Sequence, residues 1–130
     1  MHDAPSKLLV QQRVRNRIFE YLEGVKEYPR ARGVWDLNEL INEWEFWVDH
    51  PFLPRDYPQP AFSVDEVGAL AITHDAWQAF ADSTPRNIQD EPAALATPEW
   101  KSFVDACTAA IKVFQVRGRL SEDEEIGRDA

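Results

Sequence analysis

Helix start signals recur along this chain, and they confine it to one fold class. Asp36 with Glu39, and Ser63 with Glu66, each match a capping box. In that motif the cap side chain accepts from a backbone N–H inside the helix, and the Glu reaches back to the cap's own N–H. Thr97 followed by Pro98 is another start, because proline at the first helical position lacks only an N–H that has no intrahelical partner. Trp35 with Leu40, and Phe62 with Val67, fit hydrophobic staples across two of these starts.

Apolar residues at helical spacing follow each start. They are Leu37, Leu40, Ile41, Trp44 and Val48, then Val67, Leu70, Ala71, His74, Trp77 and Ala81. The last set, Trp100, Phe103, Val104, Cys107, Ala110, Ile111 and Phe114, is the most regular. An earlier stripe of Val10, Val14, Ile18, Leu22 and Val25 predicts a first helix from about Ser6 to Tyr28, with Pro29 and Gly33 after it. Four amphipathic stripes can be buried only against one another. The expectation is therefore an all-α domain spanning 1–130, a compact four-helix bundle or a related orthogonal helical fold.

The connections are as legible as the helices. Pro51, Pro54, Pro58 and Pro60 keep 51–62 from being helical throughout. This Pro-rich connector should run extended over the surface, pinned by Phe52, Leu53, Tyr57 and Phe62. Residues 85–97 read as a loop with one short turn at Pro92–Leu95. Gly118 is a natural residue to end the last helix. The tail 119–130, with Ser121-Glu122-Asp123-Glu124-Glu125, reads either as a short capped turn or as a frayed acidic end.

With 44% hydrophobic residues, including five Trp, seven Phe and three Tyr, a packed core is expected without cross-links. The single cysteine, Cys107, can form no internal disulfide and no Cys-based zinc site. No secretory pattern and no run of about 20 apolar residues is present, so a cytoplasmic protein with no membrane partner is expected. The net charge is −9, from 14 basic and 23 acidic residues. That balance repels nucleic acid and favours a basic partner or simple solubility. Lys7, Arg13, Arg15 and Arg17 form a basic cluster near the start, which reads as a solvated face pairing with acidic groups elsewhere in the bundle.

Motifs for chemistry are missing. Neither His50 nor His74 has a Glu three residues before it, as helical di-metal sites require. There is no His-Glu-x-x-His, no EF-hand loop, no Gly-x-Ser-x-Gly elbow and no phosphate loop. His74, on an apolar helix face, reads as a hydrogen-bonded core residue, and Cys107 as inert packing. No cofactor is expected.

The least ordinary stretch is Asp36 to Asp49, which carries Asp36, Glu39, Glu43, Glu45 and Asp49 and no basic residue. Trp44, Phe46 and Trp47 are interleaved with them. At 100° per residue Phe46 lies well off the inward stripe and Trp47 near its edge. Glu39, Glu43, Glu45, Phe46, Trp47 and Asp49 are thus candidate partner-binding residues, with carboxylates for steering and an aromatic for anchoring. The competing reading covers Phe46 and Trp47 with the Pro-rich connector.

In size, acidity, cysteine poverty and aromatic content the chain resembles bacterial immunity proteins, small inhibitors that occlude the basic active site of a toxin. The resemblance implies an acidic protein–protein interaction module with a basic partner, and it transfers no individual residue. Two other classes stay open. One is a self-associating structural or adaptor domain, with a homodimer formed through exposed aromatics. The other is an enzyme with an unrecognised carboxylate or histidine site.

Overall fold

The computed structural model describes residues 4–28 and 36–126. Among them all regular structure is helical: α1 (Lys7–Glu27), α2 (Leu37–Trp47), α3 (Val64–Ser83), the short α4 (Glu91–Leu95) and α5 (Pro98–Gln115). One 3-10 turn, Pro54–Asp56, interrupts the Pro-rich connector. Both capping boxes form, with Asp36 and Ser63 accepting from the N–H groups of Glu39 and Glu66. Ser6 and Thr97 cap α1 and α5 in the same manner. The Trp35–Leu40 staple, Pro29 and Gly33 lie outside the described residues.

Helices α3 and α5 pack along each other, α1 lies against α5, and α2 lies against α1. Their shared core is aromatic. Trp44 meets Phe103 edge-on at 6.5 Å between ring centroids, and Phe80 contacts Trp100 at 5.1 Å. The connector contributes Tyr57, Ala61 and Phe62 to this core, so two of the four expected pins are buried, whereas Phe52 and Leu53 are half-buried. Cys107 is fully buried in the middle of α5.

Two stripes differ from the expected ones. On α3 the buried residues are Glu66, Leu70, Thr73, His74, Trp77 and Phe80, whereas Val67, Ala71 and Ala81 are only half-buried. The stripe is rotated because α3 packs on α5 along one side and receives Trp44 of α2 on the other. On α1, Val10 is 43% exposed rather than inward. The buried positions in that half of the helix are Gln12, Arg15 and Asn16.

The reason is what they face. The segment after α5 folds back along α1 and offers bare backbone, which polar side chains can satisfy and valine cannot. Gln12 Nε2 donates to the carbonyls of Ser121 and Glu124, and Gln12 Oε1 accepts from the Ile126 N–H at 2.9 Å. Asn16 Nδ2 donates to the Leu120 carbonyl, and Asn16 Oδ1 accepts from the Leu120 N–H. Arg13 donates to the Glu122 carbonyl, and Arg17 pairs with the Glu122 carboxylate. Ser121 Oγ accepts from the N–H groups of Asp123 and Glu124, so residues 121–124 form the capped turn. Gly118, at φ +71°, makes the reversal into this segment.

The basic cluster is therefore not a solvated face throughout. Arg15 has 0% of its surface exposed and pairs with Glu66, itself 1% exposed, at 2.8 Å. Arg117 closes on the same carboxylate at 2.6 Å. Glu66 Oε1 also accepts from the Ser63 N–H in the capping box. The spare donors of Arg15 go to the carbonyls of Phe114 and Gly118, and those of Arg117 to Pro60 and Ala61. The Arg15 guanidinium also lies over the Phe114 ring, 4.8 Å from its centroid. One carboxylate thus ties α1, α3, the end of α5 and the connector together.

Burial alone would raise the Glu66 pKa, but hydrogen bonds from Arg15, Arg117 and the Ser63 N–H outweigh it and hold it below the usual range. A carboxylate depressed on folding stabilises the fold above its unfolded pKa, about 4.3. That contribution is lost as pH falls through the lower folded value. Glu66→Ala strands Arg15 without a counter-charge and should cost about 3–5 kcal/mol in urea unfolding. A cost near zero would show that the network carries no net stability. Glu66→Gln should lack the parent's extra loss of stability in acid. Burial also pushes the Cys107 thiol well above its usual pKa. It should resist thiol reagents in the native protein and react once unfolded, and rapid native labelling would contradict the core placement.

Candidate functional site

Helix α2 buries Leu37, Leu40 and Trp44, and Tyr21 Oη of α1 donates to the Leu40 carbonyl at 2.5 Å. With that stripe fixed, the remaining positions fall on two outward ridges. Five of the six sequence-predicted binding residues divide between them, and the sixth, Asp49, lies past the helix end.

Glu39, Glu43, Phe46 and Trp47 share the first ridge, at helical steps of four, three and one. Glu39 accepts from the Asp36 N–H, so its carboxylate serves the capping box. Glu43 accepts from Trp47 Nε1 at 2.9 Å and fixes that half-buried indole. Phe46 meets Trp47 edge-on, 4.7 Å between centroids at 77°, and is 72% exposed. The connector does not cover it. Instead the connector turns toward α3: Phe52 stacks on Tyr57 at 5.1 Å, Tyr57 Oη accepts from the Asp49 N–H, and Phe52 lies 5.8 Å from His74.

Glu45 lies on the second ridge with Asn38 and Asn42, facing α3. Asp49 lies beyond the last residue of the helix, Trp47. The candidate residues thus do not form one cluster.

Between α2 and α3 runs a groove of about 340 Å³. Asn38, Asn42 and Glu45 form one wall, Gln78 and Ala81 the other, and Ile41 and Trp77 the floor. His50 and Arg86 complete it.

Behind it lies a chain of ring contacts that fixes its own protons. Trp44 Nε1 can only donate, and it donates to His74 Nδ1 at 3.0 Å. His74 Nδ1 therefore carries no proton, and the neutral ring holds one on Nε2. That Nε2 lies 2.9 Å from His50 Nδ1, so it donates there and leaves the His50 proton on Nε2. Burial, then the neighbouring His50, lowers the His74 pKa, against weaker opposing effects of Asp75 and Glu45. His74 is 5% exposed, the hydrogen-bonded core histidine that its position on α3 predicts.

Neither ring nitrogen of His74 is left for a substrate, and among the described residues no carboxylate hydrogen-bonds to His50. Thr84, the nearest hydroxyl of the groove, lies against the carbonyls of Phe80 and Ala81 within its own helix end. No group of three or more His, Cys, Asp or Glu able to hold a metal occurs among the described residues, and none of their helices is long and apolar enough to cross a membrane.

Comparison with protein-family models, curated proteins and solved structures gave no match to this chain.

Sequence reasoning located Phe46 because helical phase alone excludes it from the stripe. It missed the pairing of His50 with His74 and the groove residues Gln78 and Arg86. These meet only through the antiparallel packing of α2 on α3, for which no local signal exists. Between pH 7 and 8, nitrogen-detected imidazole spectra should show both rings protonated at Nε2. A proton on His74 Nδ1 would rule out the Trp44 hydrogen bond. Since folding lowers the His74 pKa, the neutral ring favours the fold least where the unfolded His is charged. Stability should therefore fall as pH drops below about 6.5, and His74→Phe should remove that slope.

Proposed function

We propose that this chain is an acidic protein-binding module that engages a basic partner through the Glu39–Glu43–Phe46–Trp47 ridge of α2, in the manner of an inhibitor that occludes its target. One observation carries the reading: Phe46 stands 72% exposed yet is held by Trp47, which is itself fixed by Glu43. An exposed aromatic loses little conformational freedom on binding when its neighbour already orients it. Aromatic anchors of this kind dominate binding energy where a partner excludes water from them. The surrounding carboxylates, on a chain of net charge −9, attract a basic surface over distance and set the rate of encounter. Self-association through the same aromatic is the second reading. Like charge on both copies of an acidic ridge opposes it.

The test begins with capture of partners by the wild-type chain and by Phe46→Ala, followed by binding kinetics on what is retained. Phe46→Ala should speed dissociation, at a cost of about 2 kcal/mol or more. Its melting temperature should barely change, because the ring contributes almost nothing to the core. Glu43→Gln combined with Asp49→Asn should slow association and flatten its salt dependence. Partners held equally by all variants would remove α2 as the interface. Light scattering that shows a dimer broken by Phe46→Ala would favour self-association instead.

A further inference from the structure

The groove between α2 and α3 is built from different residues than the Phe46 ridge. Trp44 of α2 bonds His74 of α3, and Trp77 Nε1 donates to the Ile41 carbonyl at 3.0 Å. Rising residue numbers on one helix thus meet falling numbers on the other, so the helices are antiparallel. Glu45 consequently stands at the His50 end. Arg86 stands at the Asn38 end, because Asn38 is tied to both backbone groups of Ile88. Asn38 and Glu45 are seven residues apart on α2, which at 1.5 Å per residue separates the two ends by about 10 Å.

Among the described residues Glu45 and Arg86 take part in no salt bridge, with each other or with any other residue. The floor between them is apolar, made by Ile41 and Trp77. Partway along, Gln78 Oε1 is shielded from solvent with no hydrogen-bond partner, its amide nitrogen being turned to Asp82. A shielded carbonyl oxygen without a donor is an unfavourable arrangement that a ligand N–H relieves.

We propose that this groove binds a basic residue bearing a free α-carboxylate, an arginine or lysine either as the free amino acid or at the end of a peptide. The carboxylate pairs with Arg86, the α-nitrogen N–H beside it donates to Gln78 Oε1, the aliphatic stem lies on the Ile41–Trp77 floor, and the cationic head donates to Glu45. An anion alone leaves Glu45 and Gln78 unanswered, and a cation alone leaves Arg86 so. A purely apolar ligand answers none of the three.

The probe is N-acetyl-L-arginine, titrated into the nitrogen-15-labelled full chain while the Trp77 indole and Gln78 side-chain amide signals are followed. Both signals should shift saturably. L-arginine amide, which lacks the carboxylate, and N-acetyl-norleucine, which lacks the cation, should each bind at least about tenfold more weakly. Arg86→Gln and Glu45→Gln should each weaken the parent probe to a similar degree, whereas Val116→Ser, on an exposed residue of the α5 end, should not. Tighter binding of free L-arginine than of the acetylated form points to the amino acid, and the reverse points to a chain end. Either order supports the site. The proposal is overturned if no saturable shift occurs by about 10 mM, if the amide binds as well as the acid, or if neither groove variant changes the affinity.

Discussion

The buried carboxylate of Glu66 is the constraint on which the rest of this molecule depends. It begins as a local feature, the closing residue of the α3 capping box. In the folded chain it also receives Arg15 from α1 and Arg117 from just beyond α5. Two guanidinium groups around one carboxylate would be costly in a dry interior if their remaining donors were idle. They are not idle, because the carbonyls of Pro60, Ala61, Phe114 and Gly118 take them. The network therefore fixes where α5 must stop, where the connector must pass and how α1 is rotated.

The rotation of α1 has consequences along its length. Its second half presents Ile18, Leu22 and Val25 to the aromatic core, as a stripe of helical period should. Its first half presents Gln12, Arg15 and Asn16 to the returning chain. This strap closes the end of the bundle with side-chain to backbone bonds rather than apolar contact. Arg119 reinforces it from outside by pairing with Glu20 and Glu23, in exposed positions where such pairs contribute little individually.

At the α2 end, the same packing that buries Trp44 and Trp77 creates both of the surfaces proposed to bind. Turning the connector toward His74 uncovers Phe46, and setting α2 antiparallel on α3 opens the groove beside Glu45. The two ridges of one short helix so acquire different surroundings. One is an aromatic pair rimmed by carboxylates, the ridge proposed for a basic partner. The other is a polar-ended trough with an apolar floor, suited to a small amphipathic ligand with a charge at each end.

The sequence by itself determined the helices and their starts, because capping and periodicity are local. Asp36, Ser63 and Thr97 act within a few residues, and the stripe of α5 from Trp100 to Phe114 reads the same in the chain and in the fold. Helical phase also placed Phe46 off the α2 stripe, but only the path of the connector decided that it is left uncovered. Only the tertiary structure decided that Arg15 is buried and Val10 is not, that the acidic tail docks on α1, and that His50 meets His74. Each of these depends on which backbone or side chain lies opposite across a long loop. A polar residue is drawn inside when what it faces is an unsatisfied carbonyl or a buried charge, and neither can be seen from the residue's own neighbours in the chain.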